Sequence, residues 1–504
     1  MQIRSAFLGL LLLAAAGTVS AQKKLTIHAG KPAAAISSQM WGIFFEDINF
    51  GADGGLYAEL VKNGSFEFPM PLMGWREMDE RSAGKVLVVN RRAENERNAR
   101  YAHVTVKDTG AVFGISNEGF RGIGYRQNAA YDFSLQARAL EGKITIRVEA
   151  INYSGKLLAS ARIPVEGTGW KEYRLSLTAA DTAQRGKLNV FFEGSGAIDI
   201  DRVSLFPKDT WKGRTGGLRN DLVQWLADLK PGFVRFPGGC IVEGRDLTNR
   251  YQWKNTVGPV QDRLLQINRW NQEFAHRAAP DYFQSYGLGF YEYFLLAEDI
   301  GAEPLPILNC GMACQFNSSE VTAMNELEPF VQDALDLIEF ANGPVTSEWG
   351  KLRASMGHPA PFGLKLMGVG NEQWDEQYIE RYKVFEKAIH ARYPAIKLVS
   401  GAGPFAGGAL FEYAWKQLRA LQADLIDEHY YLNPRWFFDN AKRYDNYDRQ
   451  GPKVFAGEYA SHVGSDPAPE SMNSWLAALS EAAFMTGLER NADVVRMCSY
   501  APLF

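Results

Sequence analysis

The chain has 504 residues, of which 46% are hydrophobic and 22% charged, a composition typical of soluble globular proteins and a length that suits two or three domains. Its net charge of −4 gives no electrostatic reason to expect nucleic acid or an anionic membrane as a partner. Aromatic residues make up 12% of the chain, which fits a carbohydrate-binding protein, although large cores use aromatic side chains as well.

The first 21 residues have the pattern of an export signal. Arg4 provides a positive charge, residues 7–16 form an apolar run, and Val19-Ser20-Ala21 is a small-residue cleavage site. An apolar run of about ten residues is too short to span a bilayer. We therefore expect residues 1–21 to be removed on export, leaving a periplasmic or extracellular protein without a membrane segment.

The next part of the chain, up to about residue 70, predicts strands followed by a helix. Residues 22–40 begin with an alternating pattern at 24–28 that is typical of a half-exposed strand. Residues 41–47 form an apolar run ending in two acids, and residues 54–64 have helical spacing. Residues 41–70 are therefore predicted to form the first strand–helix unit of an α/β domain.

Residues 71–209 differ in character, because short alternating segments such as 143–149 and 187–192 are separated by glycine-rich turns. This pattern predicts an antiparallel β-sandwich inserted into the α/β domain. Residues 198–207 resemble the last strand of carbohydrate-binding modules of the family 4/9 type, and residues 170–173 resemble an earlier strand of those modules. The resemblance implies a sugar-binding ancestry, and a purely structural insert is the alternative.

Residues 210–504 alternate between strand and helix patterns. Helices are predicted at 218–229, 290–300, 331–340, 379–393, 410–421, 435–440 and 475–488, and strands at 233–236, 304–308, 363–370, 396–401, 425–431, 453–459 and 494–500. With the strand at 41–47 these make eight strands, which predicts a closed (β/α)₈ barrel formed by residues 41–70 and 210–504. An open doubly wound sheet is the alternative, but no glycine-rich phosphate-binding turn follows a strand, so we expect no nucleotide cofactor.

The four cysteines are Cys240, Cys310, Cys314 and Cys498. Cys310 and Cys314 are four residues apart and no histidine cluster accompanies them, which argues against a zinc site. We therefore expect free thiols buried at strand ends and no bound metal.

Two glutamates follow apolar runs in the barrel. By strand count, Glu372 ends the fourth strand and Glu458 the seventh, and in a closed barrel these strand ends face each other across the mouth. Hydrolysis of a glycosidic bond needs such a pair, one group as the acid and the other as the nucleophile or base. Taken singly, either glutamate fits a solvated loop charge equally well.

Four segments in order, Phe-Phe-Glu-Asp at 44–47, Arg-Phe-Pro-Gly-Gly-Cys at 235–240, Gly-Val-Gly-Asn-Glu at 368–372 and Phe-Ala-Gly-Glu-Tyr at 455–459, resemble glycoside hydrolase family 51. The closest resemblance is to the α-L-arabinofuranosidases with a carbohydrate-binding-type insertion near the amino terminus. The resemblance implies a retaining, exo-acting enzyme that removes terminal α-L-arabinofuranosyl residues from arabinan or arabinoxylan without a cofactor. It leaves the oligomeric state open, including a homo-oligomer.

The resemblance also implies a role for individual residues. Glu372 would be the general acid/base and Glu458 the nucleophile. Asn371 would hydrogen-bond the sugar 2-hydroxyl, Glu46 would hold sugar hydroxyls, and Tyr431 would line the substrate pocket beside the nucleophile and orient it.

Four further residues are expected around the same pocket. Cys240 stands where many family members carry an asparagine that contacts the sugar, and Trp374 either walls the pocket or packs beneath it. Arg235 and His429 are expected to support the carboxylates, because a buried charge requires a partner.

Family members continue beyond the eighth strand into a carboxyl-terminal β-sandwich, with which the strand within 22–40 would pair. We therefore expect these 504 residues to be part of a longer natural chain. Two alternatives to the arabinofuranosidase remain, namely a retaining barrel glycosidase with another sugar specificity and a non-catalytic carbohydrate-binding relative.

Overall fold

The computed structural model describes residues 30, 35–92, 95–107, 110–273, 282–462 and 474–501. The predicted export signal and the strand predicted at 24–28 lie outside these residues. The first described element is strand β1 (Trp41–Phe44), at the position that the apolar run predicts.

The helix predicted at 54–64 is wrong, because these residues form turns and extended segments. Gly54 has a positive φ of 84°, which a helix does not accommodate. The backbone N–H groups of Ala58 and Leu60 donate to the carbonyls of Gly217 and Leu205, which are distant in sequence, instead of closing helical turns. The chain therefore passes from β1 into the insert without a helix.

The insert consists of antiparallel strands, as the alternating pattern predicts. Its strands are β2 (Trp75–Asp79), β3 (Gly84–Asn90), β4 (Arg100–Val106), β5 (Phe113–Asn117), β6 (Ile123–Tyr125), β7 (Ala130–Asn152), β8 (Leu157–Pro164), β9 (Lys171–Thr178) and β10 (Ala183–Pro207). The two longest, β7 and β10, pair with each other along most of their length and connect the remaining strands. Alternate side chains such as Ile146, Val148 and Val190 are fully buried in a separate core, so the insert has its own hydrophobic interior.

After the insert, the chain adds the other barrel strands and a small hairpin. These are β11 (Phe233–Phe236), the hairpin strands β12 (Gln266–Ile267) and β13 (Phe283–Gln284), and then β14 (Glu303–Leu308), β15 (Leu366–Val369), β16 (Lys397–Gly401), β17 (Leu425–Leu432), β18 (Lys453–Ser461) and β19 (Val495–Tyr500). All neighbours in the barrel are parallel, and β19 pairs with β1, where Trp41 lies opposite Cys498. The predicted eight-stranded (β/α)₈ barrel is confirmed.

Helices lie between most of the barrel strands. They are α1 (Asn220–Asp228), α2 (Cys240–Glu243), α3 (Arg269–Glu273), α4 (Phe290–Ile300), α5 (Glu328–Asn342), α6 (Glu348–Ser355), α7 (Asp375–Arg392), α8 (Ala409–Ala420), α9 (Pro434–Asp439) and α10 (Trp475–Arg490). Apart from α2, α3 and α6, each lies within a few residues of a predicted helix. The barrel strands are buried on both faces, as β11 and β15 show over their whole length, which explains their continuous apolar sequences.

The barrel and insert belong to one compact unit, residues 36–504. The Glu59 carboxylate on the barrel side accepts hydrogen bonds from the Ser204 hydroxyl and the Leu205 N–H at the end of β10. Within the described chain, no helix has both the length and the apolar character needed to cross a membrane.

Candidate active site

The polar side chains that the sequence singled out meet at the carboxyl ends of five barrel strands. Glu46 follows β1, Cys240 follows β11, and Asn371 and Glu372 follow β15. Arg235 lies on β11, His429 and Tyr431 lie on β17, and Glu458 lies on β18. One carboxylate oxygen of Glu372, one of Glu458 and a ring nitrogen of His429 all lie within 4.8 Å of one another. The structure therefore brings the two glutamates together across the barrel mouth.

A tight turn after β15 presents Glu372. Gly370 has a φ of 77°, and a Cβ there would approach the Gln373 Oε1 to 2.4 Å, so only glycine fits. The same Gln373 oxygen accepts a hydrogen bond from the Asn371 N–H, at 2.5 Å. Glu372 itself has a positive φ of 54°, an uncommon conformation for a residue with a side chain. The Gly-Asn-Glu-Gln sequence thus builds the turn that carries the acid.

Glu372 has two polar neighbours. Its Oε1 lies 2.8 Å from the His429 Nδ1, and its Oε2 lies 3.6 Å from the Cys240 Sγ. Burial acts to raise the pKa of Glu372, but hydrogen bonds from His429 and Cys240 and the positive charges of His429 and Arg235 together lower it below its usual value.

Glu458 is held at both oxygens. Its Oε1 accepts a hydrogen bond from the Arg235 Nη2 at 2.8 Å, and its Oε2 accepts one from the Tyr431 hydroxyl at 2.8 Å. A Cβ at Gly239 would lie 2.6 Å from Oε1, so the glycine makes room for the carboxylate. Burial raises the pKa of Glu458, and the charges of His429 and Arg235 oppose that rise.

Arg235 is fully buried and connects several site residues. Besides Glu458, its Nη2 contacts the Asn371 Oδ1 at 2.6 Å, and its Nη1 lies 3.3 Å from the Asp427 Oδ2. The guanidinium carbon also lies 4.7 Å from the centre of the Phe44 ring. Arg235 therefore contacts Glu458, Asn371 and Asp427 at the same time.

His429 lies between two carboxylates. Its Nδ1 faces Glu372, and its Nε2 lies 3.1 Å from the Asp427 Oδ2. Although burial lowers the pKa of His429, the negative charges of Glu458 and Asp427 raise it to about 10. The imidazole is therefore protonated at neutral pH and donates from both nitrogens.

Two groups in the site have spare hydrogen-bonding capacity. The buried Asn371 Nδ2 has no hydrogen-bond partner among the described residues. The Glu46 Oε1 accepts a hydrogen bond from the Ile241 N–H at 3.0 Å, and the carboxylate also has a hydrogen bond with the Trp270 side chain, which leaves further acceptor positions on its two oxygens. Burial and the nearby charge of Glu458 raise the pKa of Glu46 to about 7. Such groups can bind the hydroxyl groups of a ligand, since an unpaired buried polar group is costly.

Trp374 lies in an aromatic cluster. Its ring centre is 4.9 Å from that of Phe316 and 5.6 Å from that of Phe405. Phe316 is 61% exposed, so the cluster has an apolar surface open to solvent.

Sequence reasoning missed Asp427, which contacts both Arg235 and His429. A usable signal existed, because Asp427, His429 and Tyr431 alternate along β17 and so share one face of the strand. It also missed Gln373 and Gly239, whose roles depend on the detailed path of the turns.

The four cysteines are free thiols, and all but Cys240 are fully buried, as expected. The fold nevertheless brings Cys240 and Cys314 together with Glu243, a grouping that the spacing of Cys310 and Cys314 does not reveal.

A closed parallel barrel with two buried glutamates at the ends of its fourth and seventh strands defines the class of (β/α)₈ glycoside hydrolases. Comparisons with known proteins narrow this class. A family model described as the α-L-arabinofuranosidase 1 domain matches residues 225–449, and one described as the α-L-arabinofuranosidase C-terminal domain matches residues 457–504.

Curated relatives agree with the family models. The chain is 46% identical over 500 residues to an extracellular exo-α-L-arabinofuranosidase of Streptomyces chartreusis, covering 95% of this chain and 57% of the relative. It is 38% identical over 486 residues to α-L-arabinofuranosidase 2 of Arabidopsis thaliana, covering 93% of this chain and 67% of the relative. The chain thus spans little more than half the length of the Streptomyces protein.

A solved, arabinose-bound α-L-arabinofuranosidase of glycoside hydrolase family 51 superposes with a TM-score of 0.81 at 32% identity, covering 94% of this chain and 76% of that one. The chain belongs to the family 51 α-L-arabinofuranosidases.

Proposed function

We propose that the chain carries the catalytic machinery of a retaining, exo-acting α-L-arabinofuranosidase. The observation that carries the proposal is the buried pair Glu372 and Glu458 at facing strand ends, in a chain of the arabinofuranosidase family. The Streptomyces relative is named an extracellular exo-α-L-arabinofuranosidase, and the superposed structure holds arabinose. The expected substrates are arabinan- or arabinoxylan-type polysaccharides with terminal arabinofuranosyl residues.

The spacing of the carboxylates supports retention of anomeric configuration. Oxygens of Glu372 and Glu458 lie within 4.8 Å of each other. Retaining glycosidases hold their carboxyl groups about 5–5.5 Å apart, whereas inverting enzymes leave about 6.5–9.5 Å for a water molecule. The short distance between these oxygens therefore favours the retaining arrangement.

In the first step, a Glu458 oxygen attacks the anomeric carbon while the bond to the leaving oxygen breaks. Glu372 gives its proton to that oxygen, and a covalent arabinosyl-enzyme forms. Arg235 and Tyr431 fix the attacking carboxylate through the two 2.8 Å hydrogen bonds, which align it before the reaction.

In the second step, Glu372 removes a proton from water, the water oxygen bonds to the anomeric carbon, and the Glu458 ester bond breaks. Two successive inversions give net retention. Glu372 needs a proton for its role as acid, and we expect it to share the proton of His429, which is charged at neutral pH, across the hydrogen bond between the His429 Nδ1 and the Glu372 Oε1.

The remaining residues are assigned to substrate binding and support. The Asn371 Nδ2, which lacks a partner among the described residues, would donate to the sugar 2-hydroxyl, and Glu46 would hold other hydroxyls. Cys240 would line the pocket beside Glu372, and Trp374 with its aromatic neighbours would contact the polysaccharide outside it.

We further propose that the protein is exported, as the signal pattern and the extracellular relative suggest. The insert, spanning about residues 71–209, is proposed to descend from a carbohydrate-binding module, which its antiparallel fold allows.

The test is hydrolysis of aryl α-L-arabinofuranoside, compared with aryl β-xyloside and β-glucoside, with the anomeric product followed by NMR. We expect turnover of the arabinofuranoside with retention. Preference for another glycoside would favour a relative of different specificity, and absence of turnover on all three would favour a non-catalytic carbohydrate-binding protein.

A further inference from the structure

A second cluster of reactive side chains lies beside the candidate acid. Cys240 is the first residue of α2 and Glu243 is the last. Cys314 lies in the loop after β14, and its N–H donates a hydrogen bond to the Gly244 carbonyl at 3.2 Å. The two Sγ atoms and a Glu243 carboxylate oxygen all lie within 4.8 Å of one another. Two neighbouring strands of the barrel thus bring three potential ligands to one point.

Only one of the two carboxylate oxygens of Glu243 accepts a hydrogen bond from the described residues. Its side chain is 2% exposed, and its Oε1 accepts a hydrogen bond from the Gln373 Nε2 at 2.8 Å. The Oε2 has no hydrogen-bond partner among the described residues, and the Arg269 Nη1 lies 3.8 Å away. A buried carboxylate oxygen without a donor is costly, so this atom is suited to bind a ligand.

We propose that Cys240, Cys314 and Glu243 bind Zn²⁺. Thiolate and carboxylate are both zinc ligands, and bonds of about 2.0–2.3 Å in a tetrahedral arrangement require donor atoms that lie close together, as these do. Two thiolates and one carboxylate carry a charge of −3, which the ion and the neighbouring Arg269 balance. Cys310, the cysteine nearest to Cys314 in sequence, is not in the cluster.

The position of Cys240 implies that the bound ion affects catalysis, an inference that rests on the proposed function. Its Sγ lies 3.6 Å from the Glu372 Oε2, so an ion bound by the three ligands lies next to the acid/base. Three protein ligands leave a fourth position for water or for the Glu372 carboxylate itself. A Glu372 carboxylate bound to the ion cannot hold the proton that the leaving group needs, so Zn²⁺ bound in this way acts as a reversible inhibitor.

Binding is tested with Co²⁺, added to the metal-free protein as a spectroscopic substitute for Zn²⁺. The wild-type chain should bind one Co²⁺ with a thiolate-to-metal charge-transfer band in the near ultraviolet, and Zn²⁺ should displace it. Cys314→Ser and Glu243→Gln should each weaken binding by at least about tenfold. Cys498→Ser is the matched control, because this equally buried thiol lies on β19 outside the cluster, and it should bind Co²⁺ like the wild type.

Absence of the charge-transfer band in the wild type, or an undiminished band in Cys314→Ser, would overturn the proposal. If Cys314→Ser does not fold, as judged by near-ultraviolet circular dichroism, Glu243→Gln carries the test. Inhibition by Zn²⁺ then separates this site from the Glu372, His429 and Glu458 group, since Cys314→Ser should need at least about tenfold more Zn²⁺ for half-inhibition.

The two proposals fail in different ways. A Co²⁺ band in a chain that hydrolyses no arabinofuranoside would overturn the proposed activity and support the metal site. Normal hydrolysis without any Co²⁺ band would overturn the metal site and leave the proposed activity standing.

Discussion

Strand β17 carries buried acidic side chains on both faces, and the two faces differ in how completely the polar groups around them are hydrogen-bonded. Glu428 points away from the barrel mouth, and its carboxylate accepts hydrogen bonds from Trp415, Tyr444 and Tyr447 at 2.8–3.0 Å. Tyr430 also donates to it, and the Arg443 guanidinium lies 3.3 Å away. This carboxylate has donors at both oxygens and a cation, and it has no capacity for a ligand.

The neighbouring residues Asp427, His429 and Tyr431 face the barrel mouth and belong to a network that is less complete. There the Asn371 Nδ2 lacks a partner among the described residues, and Glu46 has a pKa raised to about 7. The comparison teaches that buried charge by itself does not mark a site. Unused hydrogen-bonding capacity does, because a substrate can satisfy it. A raised pKa does not, since burial raises the pKa of Glu428 as well.

The largest effect is expected for Glu458→Ala. Because this change removes the attacking group, turnover of aryl α-L-arabinofuranoside should fall by at least about a thousandfold. The free energy of unfolding should also fall, because the buried Arg235 guanidinium and the Tyr431 hydroxyl lose the carboxylate that accepts their hydrogen bonds. Steady-state kinetics and urea unfolding check both statements, and turnover within tenfold of the wild type would refute the nucleophile assignment.

Glu372→Ala should show an effect that depends on the leaving group. Substrates with poor leaving groups need the proton and should lose about a hundredfold to ten-thousandfold in kcat/KM, whereas a dinitrophenyl arabinofuranoside should lose little. Azide should restore turnover on the activated substrate, because a small anion can replace water as the nucleophile in the second step. Equal losses on both kinds of substrate would contradict the acid/base role.

Glu428→Ala is the matched substitution on the outer face of β17. It leaves the Arg443 guanidinium and several tyrosine hydroxyls without their acceptor, so the free energy of unfolding should fall by about 3 kcal/mol. The kcat per folded molecule should stay near that of the wild type. A loss of turnover without a loss of stability would contradict the assignment of Glu428 to stability and of the opposite face of β17 to the active site.

A smaller effect concerns the pH dependence of stability through His429. Its pKa is about 10 in the folded protein, above the ordinary value of about 6.5 expected on unfolding. The contribution of protonated His429 to the free energy of unfolding is therefore fully present below about pH 6.5 and is lost as the pH rises towards 10. His429→Gln should flatten this slope between pH 6 and 9.5 in urea unfolding, and equal slopes in variant and wild type would be the contrary result.

Much of the architecture could be predicted from local sequence patterns. Barrel strands that are buried on both faces are continuous apolar runs, and the helices have apolar residues at helical spacing. The prediction failed at residues 54–64, where helical spacing carries no information about the positive φ of Gly54 or about bonds to Leu205 far along the chain. The two glutamates could be located because each lies at the end of an apolar run, and the number of the corresponding strand in the barrel could be counted. The roles of Asp427 and Gln373 could not be predicted, since they depend on which donors the folded turns bring within about 3 Å.

The proposed zinc site could not be predicted from the sequence for the same reason, since it depends on contacts between residues that are distant along the chain. Cys240 and Cys314 follow adjacent barrel strands, and only the closed sheet shows that their sulfur atoms meet beside Glu243. Spacing along the chain favours pairs such as Cys310 and Cys314, which the fold separates into different environments.

The account rests on Glu458 as the residue that bonds to the sugar, and one measurement tests this directly. Glu372→Ala is mixed with dinitrophenyl α-L-arabinofuranoside, so that the covalent intermediate forms quickly and hydrolyses slowly, and the protein is then digested and analysed by mass spectrometry. We predict the mass of one arabinosyl group on the peptide that contains Glu458, and no such mass when Glu458 is also replaced by alanine. A label on another residue, or fast turnover with inverted product and no label, would contradict the account.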